Sequence, residues 1–273
     1  MTPTSPGGAP VSAAPRRTVL VTGSTSGIGE AIAAAFARDG ADVVVNGRDP
    51  DRTKAAAERI RAVGGHGEVR AVAADVGSAE GVRILTDAAP DVDVLVNNAG
   101  IFGARPAFEI TDEEWNLYFA TNVLSGVRLT RHYAPRMVER GWGRVVFISS
   151  ESAISTPREM IHYGTTKTAQ LAVARGFAQE VAGTGVTVNT VLPGPTLTPG
   201  VEVFIADRFG DGVPFAEAER RFIAEERPTS LLGRLIRPEE VASLVHYLGS
   251  DGASATTGAA LRVDGGVVNG IIP

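Results

Sequence analysis

The stretch Val19-Leu20-Val21-Thr22-Gly23-Ser24-Thr25-Ser26-Gly27-Ile28-Gly29 decides how this chain is read. Three apolar residues, two of them β-branched, run into a turn with glycine at Gly23, Gly27 and Gly29, and an alanine-rich amphipathic run follows. That is a strand, a tight turn and a helix, in the order that opens a nucleotide-binding βαβ unit. Glycine lets the backbone approach a pyrophosphate, and a helix N-terminus presents unpaired N–H groups and the positive end of its dipole. Gly23, Ser26, Gly27, Ile28 and Gly29 are therefore candidate cofactor-binding residues. The spacing Gly-x3-Gly-x-Gly differs from the common Gly-x-Gly-x2-Gly turn, so its position after the first strand carries most of the information.

Outward from this turn, short β-branched runs alternate with longer amphipathic stretches. Strands are predicted over 18–21, 42–46, 68–73, 92–96, 144–149, 187–191 and 260–263, and helices over 27–39, 51–63, 79–88, 112–140, 161–182 and 238–249. Alternation of this kind specifies an α/β fold, a doubly wound parallel sheet with helices on both faces. Residues 195–237 break the pattern with Pro and Gly turns and a short charged helix near 217–226, and read as a substrate lid. Residues 1–16, rich in Pro, Gly, Ser and Ala, read as a disordered tail before one domain over 17–273.

Composition narrows the function classes. A chain of 273 residues, 44% apolar, suits one large α/β domain. Its net charge of −5, with both signs interspersed, gives no nucleic-acid surface. Apolar runs are too short for a membrane span, and the N-terminal stretch lacks the apolar core of a signal peptide, so a cytoplasmic location is expected. The absence of cysteine excludes disulfides, thiolate metal sites and cysteine nucleophiles, and no metal is expected.

The end of the second predicted strand bears on the choice of dinucleotide. An acidic residue there suits the ribose 2′-OH of NAD, and an arginine suits the 2′-phosphate of NADP. The chain reads Val45-Asn46-Gly47-Arg48-Asp49. Arg48 brings a permanently charged, planar guanidinium, although Asp49 beside it is a possible partner. NADP(H) is the preferred coenzyme on this reading, with NAD(H) remaining open.

Tyr163 and Lys167 stand four residues apart, and Ser150 lies thirteen residues before the tyrosine. A free phenol has a pKa of ~10, and a cation one helical turn away is expected to lower it toward neutrality. Of 26 basic residues only two, Lys54 and Lys167, are lysines, so a lysine at this spacing is unlike the rest of the chain.

Together these features resemble the single-domain short-chain dehydrogenase/reductase family, including 3-oxoacyl-carrier-protein and ketone reductases. The resemblance runs from Arg17 to the end and rests on Thr22 to Gly29, Asp75-Val76, Asn97-Asn98-Ala99-Gly100, Asn122, Ser150, Tyr163-x3-Lys167, Pro193-Gly194 and Arg262 to Gly266. It implies a Rossmann-like fold with a seven-stranded parallel sheet. Asp75 and Val76 would then meet the adenine, and Asn97, Ala99 and Gly100 would lie along the riboses. Pro193, Gly194, Thr196 and Thr198 would face the nicotinamide. Asn122 would hold a proton-relay water, Ser150 would polarise the substrate carbonyl, Tyr163 would donate the proton, and Lys167 would tune the tyrosine and bind the ribose. Departures from the family pattern are Ser26, where many NADP-linked relatives carry a basic residue, and Ala153, where a glycine is frequent. Ser149 and Ser152 compete with Ser150 on composition, but spacing favours Ser150.

The substrate wall is expected to include Phe102, Met160, Val201 and Phe204, with Glu151, Glu159 and His162 as polar groups or as solvent-facing charges. The leading assignment is NADPH-dependent reduction of a ketone, with a 3-oxoacyl thioester as one candidate, to a secondary alcohol. An NAD-linked secondary alcohol dehydrogenase is the first alternative, and a non-catalytic dinucleotide sensor the second. The partner is a small carbonyl or alcohol compound, and apolar residues on several faces of the 112–140 and 161–182 helices point to a homo-oligomer, a tetramer.

Overall fold

Residues 16–210 and 212–271 are described by the structure, a computed structural model. The expected tail, apart from Arg16, lies outside the described residues. Among these residues seven strands form one parallel sheet in the order β3-β2-β1-β4-β5-β6-β7. They are β1 (Thr18–Val21), β2 (Asp42–Gly47), β3 (Val69–Ala73), β4 (Val94–Asn97), β5 (Gly143–Ile148), β6 (Val186–Pro193) and β7 (Ala260–Val263). The predicted limits of β1 and β7 are met, and those of the other five differ by one or two residues at their ends, the scale on which such limits fray. The order reverses between β1 and β4, where Val21 is in register with Val96. The chain leaves these neighbours in opposite directions and so opens a crevice at their carboxyl ends.

The strands alternate into two cores. Val19, Val21, Val43 and Val45 face α1 (Gly27–Arg38), α2 (Pro50–Ala62) and α9 (Pro238–Leu248), through Ile32, Phe36, Ile60 and Val245. Leu20, Val44, Leu95 and Phe147 face the opposite way, onto Leu85 of α3 (Ala79–Ala88), Leu129, Tyr133 and Met137 of α5 (Ser125–Glu139), and Ala174 of α6 (Ile161–Glu180). Each fully buried Leu, Ile or Phe contributes about 1.5–3 kcal/mol, so the alternation fixes which face every strand residue takes.

The predicted 112–140 helix is not continuous. α4 (Asp112–Phe119) passes through a π-helical turn at Ala120–Leu124 before α5 begins. One extra residue in the turn displaces the backbone ladder, so that the Ser125 N–H reaches back to the Ala120 carbonyl. Amphipathic periodicity alone does not reveal such a bulge, because the apolar stripe resumes on either side.

The 195–237 segment also differs from expectation. It holds two helices, α7 (Pro199–Phe209) and α8 (Phe215–Glu226), rather than one. Pro199 at the first turn and Thr198 as N-cap start α7. Ile205, Ala218, Phe222, Ile223 and Leu235 bury one another in a small core of their own, so this segment is a packed helical pair. No helix among the described residues is long and apolar enough to cross a membrane.

Candidate active site

The glycine turn after β1 is held against the end of β4 by hydrogen bonds. The Thr22 hydroxyl accepts the N–H groups of Asn98 and Ala99, each at 3.0 Å, and Asn98 Nδ2 donates to the carbonyls of Thr22 and Gly23 at 2.9 and 3.0 Å. Gly23 and Gly27 have φ of 61° and 58°, the left-handed region that favours glycine. A Cβ at Gly27 would also lie 2.9 Å from Thr198 Cγ2, because the chain leaving β6 crosses over the turn. Ser26 makes no side-chain cap to α1, so the first-turn N–H groups have no side-chain acceptor there. A diphosphate fits this cradle: close backbone, exposed donors and a helix dipole meet at one point.

Two adjoining cavities open from this point and share Ser26, Gly100 and Ile101. One, of about 320 Å³, is lined by Gly23, Arg48, Arg52, Asp75, Val76 and Ala99 among others. Gly47, at the strand end, has no room for a side chain, since a Cβ would lie 2.3 Å from Thr25 Cγ2. A carboxylate therefore cannot be placed there without moving Thr25. Asp49 is not the partner of Arg48. Its carboxylate caps α2 by accepting the Arg52 N–H at 2.8 Å. Arg52, four residues after Arg48, brings a second guanidinium to the same cavity, which the sequence reading missed.

The other cavity, of about 310 Å³, gathers Gly27, Ile28, Gly29, Ser150, Tyr163, Lys167, Pro193, Gly194, Thr196 and Thr198 on its wall. Gly194 is pressed against the C-terminal segment, where a Cβ would meet the Asp264 carbonyl at 2.7 Å. Phe102, Met160, Val201 and Phe204 complete an apolar side, as the sequence suggested, and Phe222 and Arg227 join them from α8 and its end. Tyr163, Phe102, Phe204 and Phe222 follow one another with ring centroids 6.2–6.4 Å apart, so the helical pair is tied to the tyrosine by an aromatic row.

Ser149, Ser150 and Ser152 all line this cavity, and the first two differ in hydrogen bonding. Ser149 Oγ donates to the Lys167 carbonyl at 2.8 Å and is spent on backbone, whereas Ser150 Oγ donates to Glu151 Oε2 at 2.5 Å at the cavity wall. Lys167, almost wholly buried, gives its Nζ proton to the Ile148 carbonyl at 2.8 Å. A Cβ on Gly100 would lie 3.5 Å from that Nζ, which puts the ammonium where the cavities meet.

The tyrosine departs from expectation. Its phenol is pushed above the ordinary range, first by burial and then by the negative charge of Glu151, while Ser150 works against both. Burial lowers Lys167 to about 7, so the lysine has spent its own charge stability on being buried.

Other predicted residues stand apart from the cavity walls. The Asn97 side chain points toward α5, where its Nδ2 donates to Thr130 Oγ1 at 3.2 Å. Asn122, in the π turn, holds the Ile101 backbone on both sides, accepting its N–H at 2.8 Å and donating to its carbonyl at 3.0 Å. Its own carbonyl takes Gln170 Nε2 at 2.6 Å. Each of these carbonyl oxygens keeps a second lone pair, so a water can bind Asn122 with the bonds intact. His162 is buried against Tyr118, at 4.0 Å between centroids, and burial keeps it neutral. Glu159 lines a separate polar cavity. Glu151, taken for a possible solvent charge, is the exception: it is only 5% exposed and lines the cavity that holds Ser150 and Tyr163.

Comparison with known proteins agrees with this geometry. The profile of a family described as short chain dehydrogenase matches residues 17–208. An uncharacterized oxidoreductase of Bacillus subtilis, YvaG, is 48% identical over 256 residues, 93% of this chain and 97% of that protein. D-beta-hydroxybutyrate dehydrogenase of Cupriavidus necator is 35% identical over 92% of this chain and 98% of its own length. The crystal structure of L-sorbose reductase from Gluconobacter frateurii, complexed with NADPH and L-sorbose, superposes with a TM-score of 0.88 at 32% identity, covering 94% of this chain and 98% of that one.

Proposed function

The chain belongs to the short-chain dehydrogenase/reductase family and is an NAD(P)-dependent oxidoreductase acting on alcohol or ketone groups, and we propose that it works as an NADPH-linked ketone reductase. The observation that carries this reading is the placement of Ser150, Tyr163 and Lys167 on one cavity wall. A phenol beside a hydroxyl and an ammonium at such a wall can supply the proton that carbonyl reduction needs.

When bound, the nicotinamide supplies the hydride that reduces the carbonyl carbon. Gly27, Ile28 and Gly29 would hold the diphosphate, Asp75 and Val76 the adenine side, and Lys167 the ribose near Gly100. Ser150 orients the carbonyl oxygen, and Tyr163 gives it a proton. The phenolate so formed regains a proton from solvent, and the partly charged Lys167 stabilises it meanwhile. Arg48 and Arg52 would meet a 2′-phosphate, which supports NADPH, as does its presence in the sorbose reductase complex.

The apolar wall of Phe102, Met160, Phe204 and Phe222 suits a ketone with an aliphatic arm, a 3-oxoacyl thioester among them. Helices α7 and α8 act as the lid, and the working unit is a homotetramer. A second reading, secondary alcohol oxidation with NAD, is favoured by the likeness to the hydroxybutyrate dehydrogenase. Initial rates in both directions with both coenzymes, over a panel of ketones and their alcohols, decide between them. Faster ketone reduction with NADPH supports the reductase, and faster oxidation with NAD supports the alternative.

A further inference from the structure

Glu151 is a carboxylate in a place that costs it solvation. It follows the catalytic serine directly, is 5% exposed, and faces the apolar end of the substrate cavity. Its nearest cation is Arg227, just past the end of α8, with Nε 3.6 Å from Oε1. That separation offsets charge without supplying a hydrogen bond. One guanidinium nitrogen of Arg227 is already committed to the Glu226 carbonyl at 2.8 Å. The side-chain hydrogen-bond donor to the Glu151 carboxyl is Ser150, at 2.5 Å, with the backbone N–H groups of Glu151 and Ser152 also donating toward it.

A serine hydroxyl has one proton. While Glu151 is ionised it only accepts, and the Ser150 proton is turned toward it and away from a substrate carbonyl. When Glu151 is protonated it has an O–H of its own to give to Ser150 Oγ, and the Ser150 proton is released toward the cavity. Resting on the ketone-reductase reading above, we propose that Glu151 is a positioning residue that sets the direction of the Ser150 hydrogen bond, with Arg227 of the helical pair as its counter-ion. No proton is consumed by this pair. Tyr163 still supplies the one that the product keeps, and Glu151 and Ser150 only redistribute theirs.

The surroundings fit a carboxyl that holds its proton more tightly than an exposed one. Burial pushes Glu151 above its usual range, with Ser150, Arg227 and the backbone N–H groups of Ser152 and Glu151 pulling the other way. The groups facing it are Arg227 beyond α8 and, from α6, Tyr163, with Lys167 on the same cavity wall. Across the second polar cavity stand Arg158, Glu159, Arg208, Glu225 and Glu226. Of these Arg227 is the cation within 4 Å, so its removal shifts Glu151 further upward. The expected consequence is a reduction rate that declines as pH rises through the Glu151 pKa.

The test reads the pH profile of kcat/KM for NADPH-dependent reduction of ethyl 3-oxobutanoate in wild type, Glu151→Gln, Glu151→Ala and Arg227→Met. A glutamine amide donates to Ser150 at every pH, so Glu151→Gln should lose the decline. Glu151→Ala neither donates nor accepts and should fall about tenfold below Glu151→Gln, the scale of one lost hydrogen bond. Arg227→Met should move the decline to higher pH. If all three variants change only melting temperature and leave the profile in place, the pair is structural and the proposal is overturned. Infrared difference spectra of the protein alone provide a readout that needs no turnover. A carboxyl C=O band absent in Glu151→Gln should titrate above the ordinary carboxylate range and shift in Ser150→Ala, and a missing or unshifted band also overturns the proposal. If ethyl 3-oxobutanoate and related ketones are not reduced, the functional reading fails, while the infrared result still decides the hydrogen bond.

Discussion

Lys167 Nζ stands 5.5 Å from the centroid of the Tyr163 ring and gives its hydrogen bond to the Ile148 carbonyl rather than to the phenol. The lysine is therefore a neighbour of the tyrosine without being bonded to it, and its own pKa falls to about 7 because it is buried. Lowering of the phenol by a cation one turn away does not hold within the chain's own residues. The tyrosine instead rests protonated, a weaker acid than a free phenol, and efficient donation needs its pKa brought down when coenzyme and substrate bind.

That burial has a measurable consequence for stability. Between about 7, the folded value of Lys167, and its ordinary 10.5, the unfolded chain holds a proton at this site that the folded chain has released. Stability from this site therefore rises with pH across that window and is lowest below it. Lys167→Met removes the site, so the variant should melt above wild type at pH 6, with the gap narrowing toward pH 10. Thermal denaturation of both proteins across that range is the check. A gap independent of pH would show that Lys167 is not destabilised by charge.

How much of this was legible in the sequence follows physical lines. β-branched runs, glycine turns and cap residues are local signals, and they placed β1, α1 and the parallel order of elements. Tyr163, Ser150 and Lys167 were found through spacing, and they do share one wall. The π turn at Ala120–Leu124 was hidden because one inserted residue leaves the flanking periodicity intact. α7 was missed because Pro199 and Gly200 read as turn residues, although Thr198 before a proline is also a helix-start signal. Arg52 was within reach of the sequence, in the first turn of α2 and four residues after Arg48. The partnership of Glu151 with Arg227 was not, since it depends on how α8 packs back onto a residue 76 positions earlier in the chain.

Coenzyme choice follows from the two arginines. Each charge-assisted contact contributes roughly 1.5–3 kcal/mol, or about ten- to hundredfold in affinity. NADPH should be preferred over NADH by at least that factor. Arg48→Ala and Arg52→Ala should each reduce the preference, and the double variant should abolish it. The measurement is kcat/KM for both coenzymes with one shared ketone. Preference for NADH in wild type would contradict the assignment.

Helices α7 and α8 are packed on each other by a core separate from the two that flank the sheet. A unit of this kind can open without disturbing the sheet. Amide exchange over 195–237 should slow when NADPH and a ketone are both present, as expected for a lid that excludes water. Unchanged exchange would make the pair a fixed insertion.

Assembly should involve the face around the π turn. Val173 and Phe177 are partly covered by the chain's own core, so less apolar surface is left over than the sequence implied. Leu117 and Leu124, however, remain 54% and 41% exposed. A helical face with apolar residues left outside needs a second partner. Light scattering at micromolar concentration should give the mass of a tetramer with dihedral symmetry, and Leu117→Glu with Leu124→Glu should lower it. A monomeric wild type would refute this.

The central claim, that Tyr163 is the proton donor of a dinucleotide-dependent carbonyl reduction, is tested most directly by single-turnover reduction in Tyr163→Phe. This change keeps the ring against Phe102 and removes only the hydroxyl. With saturating NADPH and a ketone that wild type reduces, the rate should fall at least about a hundredfold, the scale of general acid catalysis, while NADPH affinity by fluorescence titration stays within about twofold. A variant that reduces the ketone at the wild-type rate would contradict the account.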